Sequence, residues 1–145
     1  MAPMDRGFSL VELTISMAIA AAVAAMALPR FAGTLDWLAA DAAARDVTTS
    51  LAVARNAAVA QGRRSRLFID RDSLRIDLWG VAGWEPYLRW PGPTERGVAL
   101  QVSNPEVVFG PTGIGWGASN TTVTLTRGSH IETVTTSRVG RVKRW

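Results

Sequence analysis

The sequence predicts an α+β fold: a long N-terminal helix, membrane-spanning in its first half, packed on a small, mostly antiparallel β-sheet domain. Three observations predict it. Phe8 to Leu28 is an apolar run whose only charge is Glu12. Beyond it, apolar residues recur at three-, four- and seven-residue steps almost to Gln61. From Leu67 the period shortens to two, and turn residues interrupt the chain at short intervals.

The apolar run comes first. At about 1.5 Å per residue it makes a helix roughly 31 Å long, close to the hydrocarbon thickness of a bilayer. A carboxylate inside it costs on the order of 3 kcal/mol on insertion scales. A plain anchor has no use for that cost, which makes Glu12 a functional candidate. Pro29 and Gly33 together predict a kink or loosened stretch just beyond the membrane. The helix then continues as an amphipathic half. Leu35, Leu38, Ala42, Leu51, Ala54 and Ala58 form its apolar side, and Asp36, Asp41, Arg45, Asp46 and Arg55 populate the other faces. Gly62, followed by Arg63 and Arg64, supplies a stop: glycine at the C-terminal cap and cations near the negative end of the helix dipole.

The rest reads as strands. Arg66 to Ile69 and Leu74 to Trp79 flank the polar turn Asp70-Arg71-Asp72-Ser73 as a hairpin. Tyr87 to Trp90, Val98 to Val102 and Val107 to Phe109 follow, the last two separated by Ser103-Asn104-Pro105. Gly110 to Gly117 holds four glycines and a proline and is a loop. Thr121 to Thr126 and Ile131 to Thr136 are β-branched runs around Arg127-Gly128-Ser129, a second hairpin.

Composition narrows the chemistry. The chain has 145 residues and no cysteine, so disulfides, thiol nucleophiles and thiolate metal sites are excluded. The net charge of +4 comes almost entirely from arginine. No catalytic constellation is present. His130, the single histidine, sits beside a turn. Asp70, Asp72 and Asp77 are interleaved with Arg71 and Arg75, in and after a hairpin turn where Asp is favoured for turn chemistry. The glycines of 110–117 lack the lysine and following helix of a phosphate loop. No cofactor and no metal are expected.

The heptapeptide Gly7-Phe8-Ser9-Leu10-Val11-Glu12-Leu13 resembles the type III signal of type IV pilins and type II secretion pseudopilins. The resemblance implies that residues 1–7 are a leader, that a prepilin peptidase cuts between Gly7 and Phe8, and that the new N-terminal Phe8 is N-methylated. It places Glu12 at the family's glutamate, where its carboxylate pairs with the N-terminal ammonium of a neighbouring subunit and sets their stagger. Pro29 falls where the family has a helix-breaking proline. A secretory signal peptide with an A-x-A site at Ala25-Met26-Ala27 is one competing reading, and a generic single-pass anchor is another. Glu12 inside the apolar run speaks against both. Arg6 and Arg30 leave orientation open; the resemblance implies a single pass through the bacterial inner membrane with the C-terminal domain periplasmic.

Distal features extend the likeness. Leu51 to Ala58 on the helix, the turn Phe109-Gly110-Pro111-Thr112-Gly113, the Thr-rich hairpin and Val139-Gly140-Arg141-Val142 resemble the GspH/FimT family of minor pseudopilins and minor pilins. Val81 to Pro105 carries no recognisable motif. The expected organisation is a leader at 1–7, a transmembrane helix half at 8–28, a periplasmic amphipathic half at 29–62 and a β-rich globular domain at 63–145. The partners implied are the prepilin peptidase, other pilins or pseudopilins in a filament, and inner-membrane lipid.

One charge cluster stands out. Arg138, Arg141, Lys143 and Arg144 fall close together before the terminal Trp145. A mobile basic tail neutralises phosphates, and a tryptophan stacks on bases. In FimT-like minor pilins a C-terminal Gly-Arg-x-Arg motif is implicated in binding double-stranded DNA. Here Gly140-Arg141-Val142-Lys143 keeps the Gly and the first Arg but has Lys in the second Arg position, which lacks the bidentate fork. A solvated tail or a charge-guarded edge strand explains the same residues. Arg63, Arg64 and Arg66 could extend such a patch, although helix capping suffices for them. The expectation is a minor pseudopilin of a type II secretion system, structural rather than enzymatic. The alternative is a FimT-like pilin that binds DNA in natural transformation or primes pilus assembly.

Overall fold

A computed structural model describes residues 9–145; the leader and the expected cleavage site at Gly7 and Phe8 lie outside the described residues. The chain divides after Leu35 into two compact units. Helix α1, Leu10–Gln61, belongs to both, and its helical backbone persists through Pro29 and Gly33. The expected break therefore does not end the helix.

In the first unit α1 is long and apolar enough to cross a membrane, with a mean hydropathy of 2.0. Leu10, Leu13, Ile15, Met17, Ile19 and Val23 all stand exposed on it. A helix that is apolar all round is one that lipid or other helices cover. Its hydroxyls are satisfied locally: Thr14 Oγ1 donates to the Val11 carbonyl at 2.8 Å and Ser16 Oγ to the Glu12 carbonyl at 2.7 Å.

In the second unit the helix buries Ala40, Ala43, Ala44, Val47, Leu51, Ala54 and Ala58. Small side chains at that spacing let the sheets approach closely. Leu51, Ala54 and Ala58 are core as expected, but Leu38 is 53% exposed, Leu35 is also exposed and Ala42 is only half-buried. The buried stripe follows the helical period back to Ala40 and Val47, one position off the stripe read from the leucines. The helix ends on paired bonds. Gly62, at φ +60°, donates to the Val59 carbonyl and Arg63 to that of Ala58, the Schellman arrangement that glycine permits.

Eight strands follow: β1 Ser65–Ile69, β2 Ser73–Trp79, β3 Trp84–Pro91, β4 Ala99–Val102, β5 Glu106–Phe109, β6 Thr121–Arg127, β7 His130–Thr136 and β8 Val142–Arg144. They make two antiparallel four-stranded sheets, β3-β2-β1-β5 and β4-β6-β7-β8, where the sequence suggested one. The division falls at Ser103-Asn104-Pro105. Pro105 has no N–H for a ladder, so the chain leaves β4 beside β6 and re-forms as β5 beside β1. Leu67, Ile76, Phe109, Val123, Leu125 and Val134 from the two sheets share one core with the helix alanines. The hairpins stand where the turns predicted them. Strand β3 is longer than the expected Tyr87 to Trp90, and β8 is an addition: the C-terminal residues pair with β7.

Two aspartates of α1 fasten the second sheet to the helix, and a third fastens the helical turn Pro93–Arg96 that leads into it. Asp36 accepts from Arg127 Nε at 3.0 Å, Asp46 pairs with Arg96 at 2.8 Å, and Asp41 binds Arg144. The helix faces outside the apolar stripe thus carry the cross-links.

Candidate functional site

Two groups of sequence-predicted residues can be located. Glu12 is exposed in the first turn of α1, and among the described residues it has no ion pair. Pro29 lies inside the same helix, at its boundary with the amphipathic half.

The C-terminal cluster is split by strand alternation. Side chains along β8 point to opposite faces in turn. Val142 packs against the core, and Arg144 reaches Asp41 and, at 3.0 Å, Glu132. Arg141, Lys143 and Trp145 therefore share the opposite face. Lys143 stands in register with Thr135, which in turn faces Thr122, and Lys143 Nζ lies 5.3 Å from the Trp145 ring centroid. A shallow depression of about 370 Å³ there is lined by Ser103, Thr122, Thr135, Ser137, Arg141 and Lys143. Two cations, a row of hydroxyls and a 71% exposed indole can engage an anion or a phosphodiester backbone. Arg138 is exposed in the β7–β8 turn.

Arg144 behaves differently from its neighbours. Asp41 is only 7% exposed and lies between Arg144 and Arg45, the latter at 2.8 Å. The Arg144 hydrogen bond, partly opposed by burial, holds the Asp41 carboxyl below its ordinary value. The bonds to Glu132 and Asp41 raise the Arg144 guanidinium above its own. This cation is neutralised within the fold.

Gly140 is placed by another contact. It is buried with φ +76°, and a Cβ there would stand 3.3 Å from the Gly113 carbonyl and 3.4 Å from the Arg55 guanidinium. Gly113, at φ +74°, would likewise bring a Cβ to 3.1 Å from Arg55 Nε. Helix residue Arg55 therefore lies under both glycine turns, and three of the four distal segments that were conspicuous in the sequence meet at one point. Gly140→Ala is expected to cost about 1 kcal/mol through the left-handed backbone alone. Urea unfolding checks it, and a stability equal to wild type would remove the structural role. Arg63, Arg64 and Arg66 do not extend the C-terminal patch: Arg63 and Arg64 line a separate depression, and Arg66 is paired with Asp77 at 2.7 Å. Asp77 is thereby buried in β2 rather than grouped with Asp70 and Asp72, and among the described residues no cluster suits a metal ion.

A membrane-length apolar helix whose second half forms the spine of a two-sheet β domain is the architecture of pilin-like filament subunits. The chain belongs to the family of the type II transport protein GspH, whose model matches residues 43–140, well over half of it. The prokaryotic N-terminal methylation motif matches residues 3–28, a motif that implies processing by the peptidase and assembly with other pilins. Among curated proteins no sequence matches it significantly. Solved structures bear out the fold. The type IV minor pilin FimU of Pseudomonas aeruginosa superposes with a TM-score of 0.60 at 17% identity, over 71% of this chain and 85% of that one. The minor pseudopilin EpsH of the Vibrio cholerae type II secretion system gives 0.61 at 14% identity, over 74% and 94%.

Proposed function

We propose that this protein is a minor pseudopilin, a structural subunit of a type II secretion pseudopilus. The observation that carries the reading is the GspH match over residues 43–140, joined to the methylation motif over residues 3–28. In this reading the chain spans the bacterial inner membrane with its β domain in the periplasm. The prepilin peptidase cuts between Gly7 and Phe8, and the subunit enters the filament through its N-terminal helix, whose assembly residues are Glu12 and Pro29. It catalyses no reaction and needs no cofactor.

One observation favours a second reading, a FimT-like minor type IV pilin that binds DNA. Arg141, Lys143 and Trp145 share one face with a row of hydroxyls. Against it, Arg144 is neutralised by Asp41 and Glu132, and lysine replaces the second arginine of the motif. A salt series of double-stranded DNA binding separates the two. A DNA-binding pilin using Arg138, Arg141 and Lys143 would show log K falling with log salt at a slope of up to about −3. That binding would vanish in Arg141→Gln/Lys143→Gln. A pseudopilin is expected to show no binding even at low salt. Point substitutions are the right variants, because deleting Arg141 to Trp145 would also remove β8 and the Arg144 ion pairs.

A further inference from the structure

A second surface, used by neither reading, lies at the C-terminal end of α1. The Arg64 guanidinium stands between two indoles, 4.8 Å from the Trp79 ring centroid and 5.3 Å from that of Trp116. Arg66 stacks on Trp84 at 4.5 Å, and the Trp84 ring meets Trp79 edge-on at 5.1 Å. These rings are not core. Trp79 is 40% and Trp116 58% exposed, and Val81 in the β2–β3 turn is entirely uncovered. Together with Arg63 and Pro111 they line a depression of about 510 Å³. The β2–β3 turn begins the stretch in which the sequence carried no recognisable motif.

Composition, rigidity, charge and position point to one occupant. Tryptophan and arginine are the side chains that dominate binding energy at protein interfaces. Cation–π and edge-to-face contacts hold these before any partner arrives, which lowers the ordering cost of association. Glu85 offsets Arg63 at 3.7 Å and Asp77 offsets Arg66, but among the described residues no carboxylate offsets Arg64. A partner carboxylate complements it. The helix from Asp36 to Gln61 is roughly 38 Å long, so the patch lies at the end of the β domain opposite the residue through which the membrane segment joins. In a filament of such subunits that end is open to the globular domain of another subunit.

We propose that this arginine–tryptophan patch docks the globular domain of a different pilin-type subunit, through an apolar segment whose carboxylate reaches Arg64. The proposal rests on the filament-subunit reading above. Photo-crosslinking of the full-length protein in its own host tests it, with p-benzoylphenylalanine at Val81. That side chain is fully exposed, so its replacement leaves the fold alone. The expected product is an adduct to the globular domain of a different chain that carries a methylated prepilin-type N-terminus, with a crosslinked peptide containing Asp or Glu. Arg64→Glu and, separately, Trp116→Ala are each expected to lower its yield about tenfold or more. An adduct to a second copy, an adduct to a protein without that N-terminus, no adduct, or a yield unchanged by both substitutions would overturn the proposal. The same probe at Ile19 in the membrane helix separates the two levels. Pilin adducts from Ile19 but none from Val81 leave the filament reading standing and remove the docking surface; none from either position removes both.

Discussion

Glu12→Leu is expected to leave the chain in the membrane and to remove it from the filament. The reason lies in the balance of polar groups along the apolar helix. Thr14 and Ser16 donate to carbonyls of their own helix, whereas the Glu12 carboxylate is exposed and has no ion pair among the described residues. In the proposed filament its counter-charge would be the mature N-terminal ammonium of a neighbouring subunit. Two charges that are each costly in hydrocarbon then neutralise one another. Leucine removes about 3 kcal/mol of insertion cost, so membrane insertion is expected to be unchanged or improved, while the proposed pair is lost. Immunoblots of the membrane fraction and of sheared filaments measure both quantities in one strain. Wild-type incorporation of the leucine variant would show that the carboxylate plays no part in assembly.

The second large effect is expected at the ion pair that closes β8 onto the helix. Arg144→Ala leaves a nearly buried Asp41 with Arg45 alone, and Arg45 is largely exposed. Breaking a fully buried pair costs several kcal/mol. Because the Arg144 side chain is 31% exposed, the expected loss is about 2 kcal/mol. Urea unfolding of a soluble fragment from Arg30 to Trp145 measures it. The sign of the pH dependence is set by Asp41, whose carboxyl is depressed in the folded state. A depressed carboxyl contributes stability that is present above its unfolded value, near about 3.9, and is lost as pH falls through the folded value. The wild type should therefore exceed Asp41→Asn clearly at neutral pH, and the gap should close below about pH 4. A gap that stays constant into strong acid would mean that something other than the charge pair holds β8.

The architecture was legible wherever local chemistry acts alone. A glycine that must adopt positive φ, preceded by a helical stripe, placed the helix end at Gly62 correctly. Alternation and β-branched runs located the strands, and polar turns located the hairpins. The leucines misled slightly: Leu35 and Leu38 suggested the buried stripe because they are large, while the true stripe uses alanines, which a close helix–sheet contact prefers. The split into two sheets was marked by Pro105, but which neighbour each strand chooses depends on residues far away in the chain. The Arg64, Trp79, Trp84 and Trp116 cluster left no local trace at all, since its members come from the helix end, a hairpin and a glycine loop.

The candidate site divides in the same way. The sequence by itself determined that the chain carries an apolar helix with one carboxylate, a processing signal before it and an excess of arginine at its end, because each of these is a property of adjacent residues. It could not determine which of those arginines face solvent. Asp36, Asp41 and Asp46 read as a polar helix face, and Arg144 read as one of four tail cations. Only the tertiary structure set Arg127, Arg144 and Arg96 against those three aspartates, and only strand alternation in β8 turned Arg141, Lys143 and Trp145 the other way. Charge is written in the sequence, but its partner is chosen by the fold, because the Coulomb energy of a pair depends on distance in space and on burial rather than on separation along the chain.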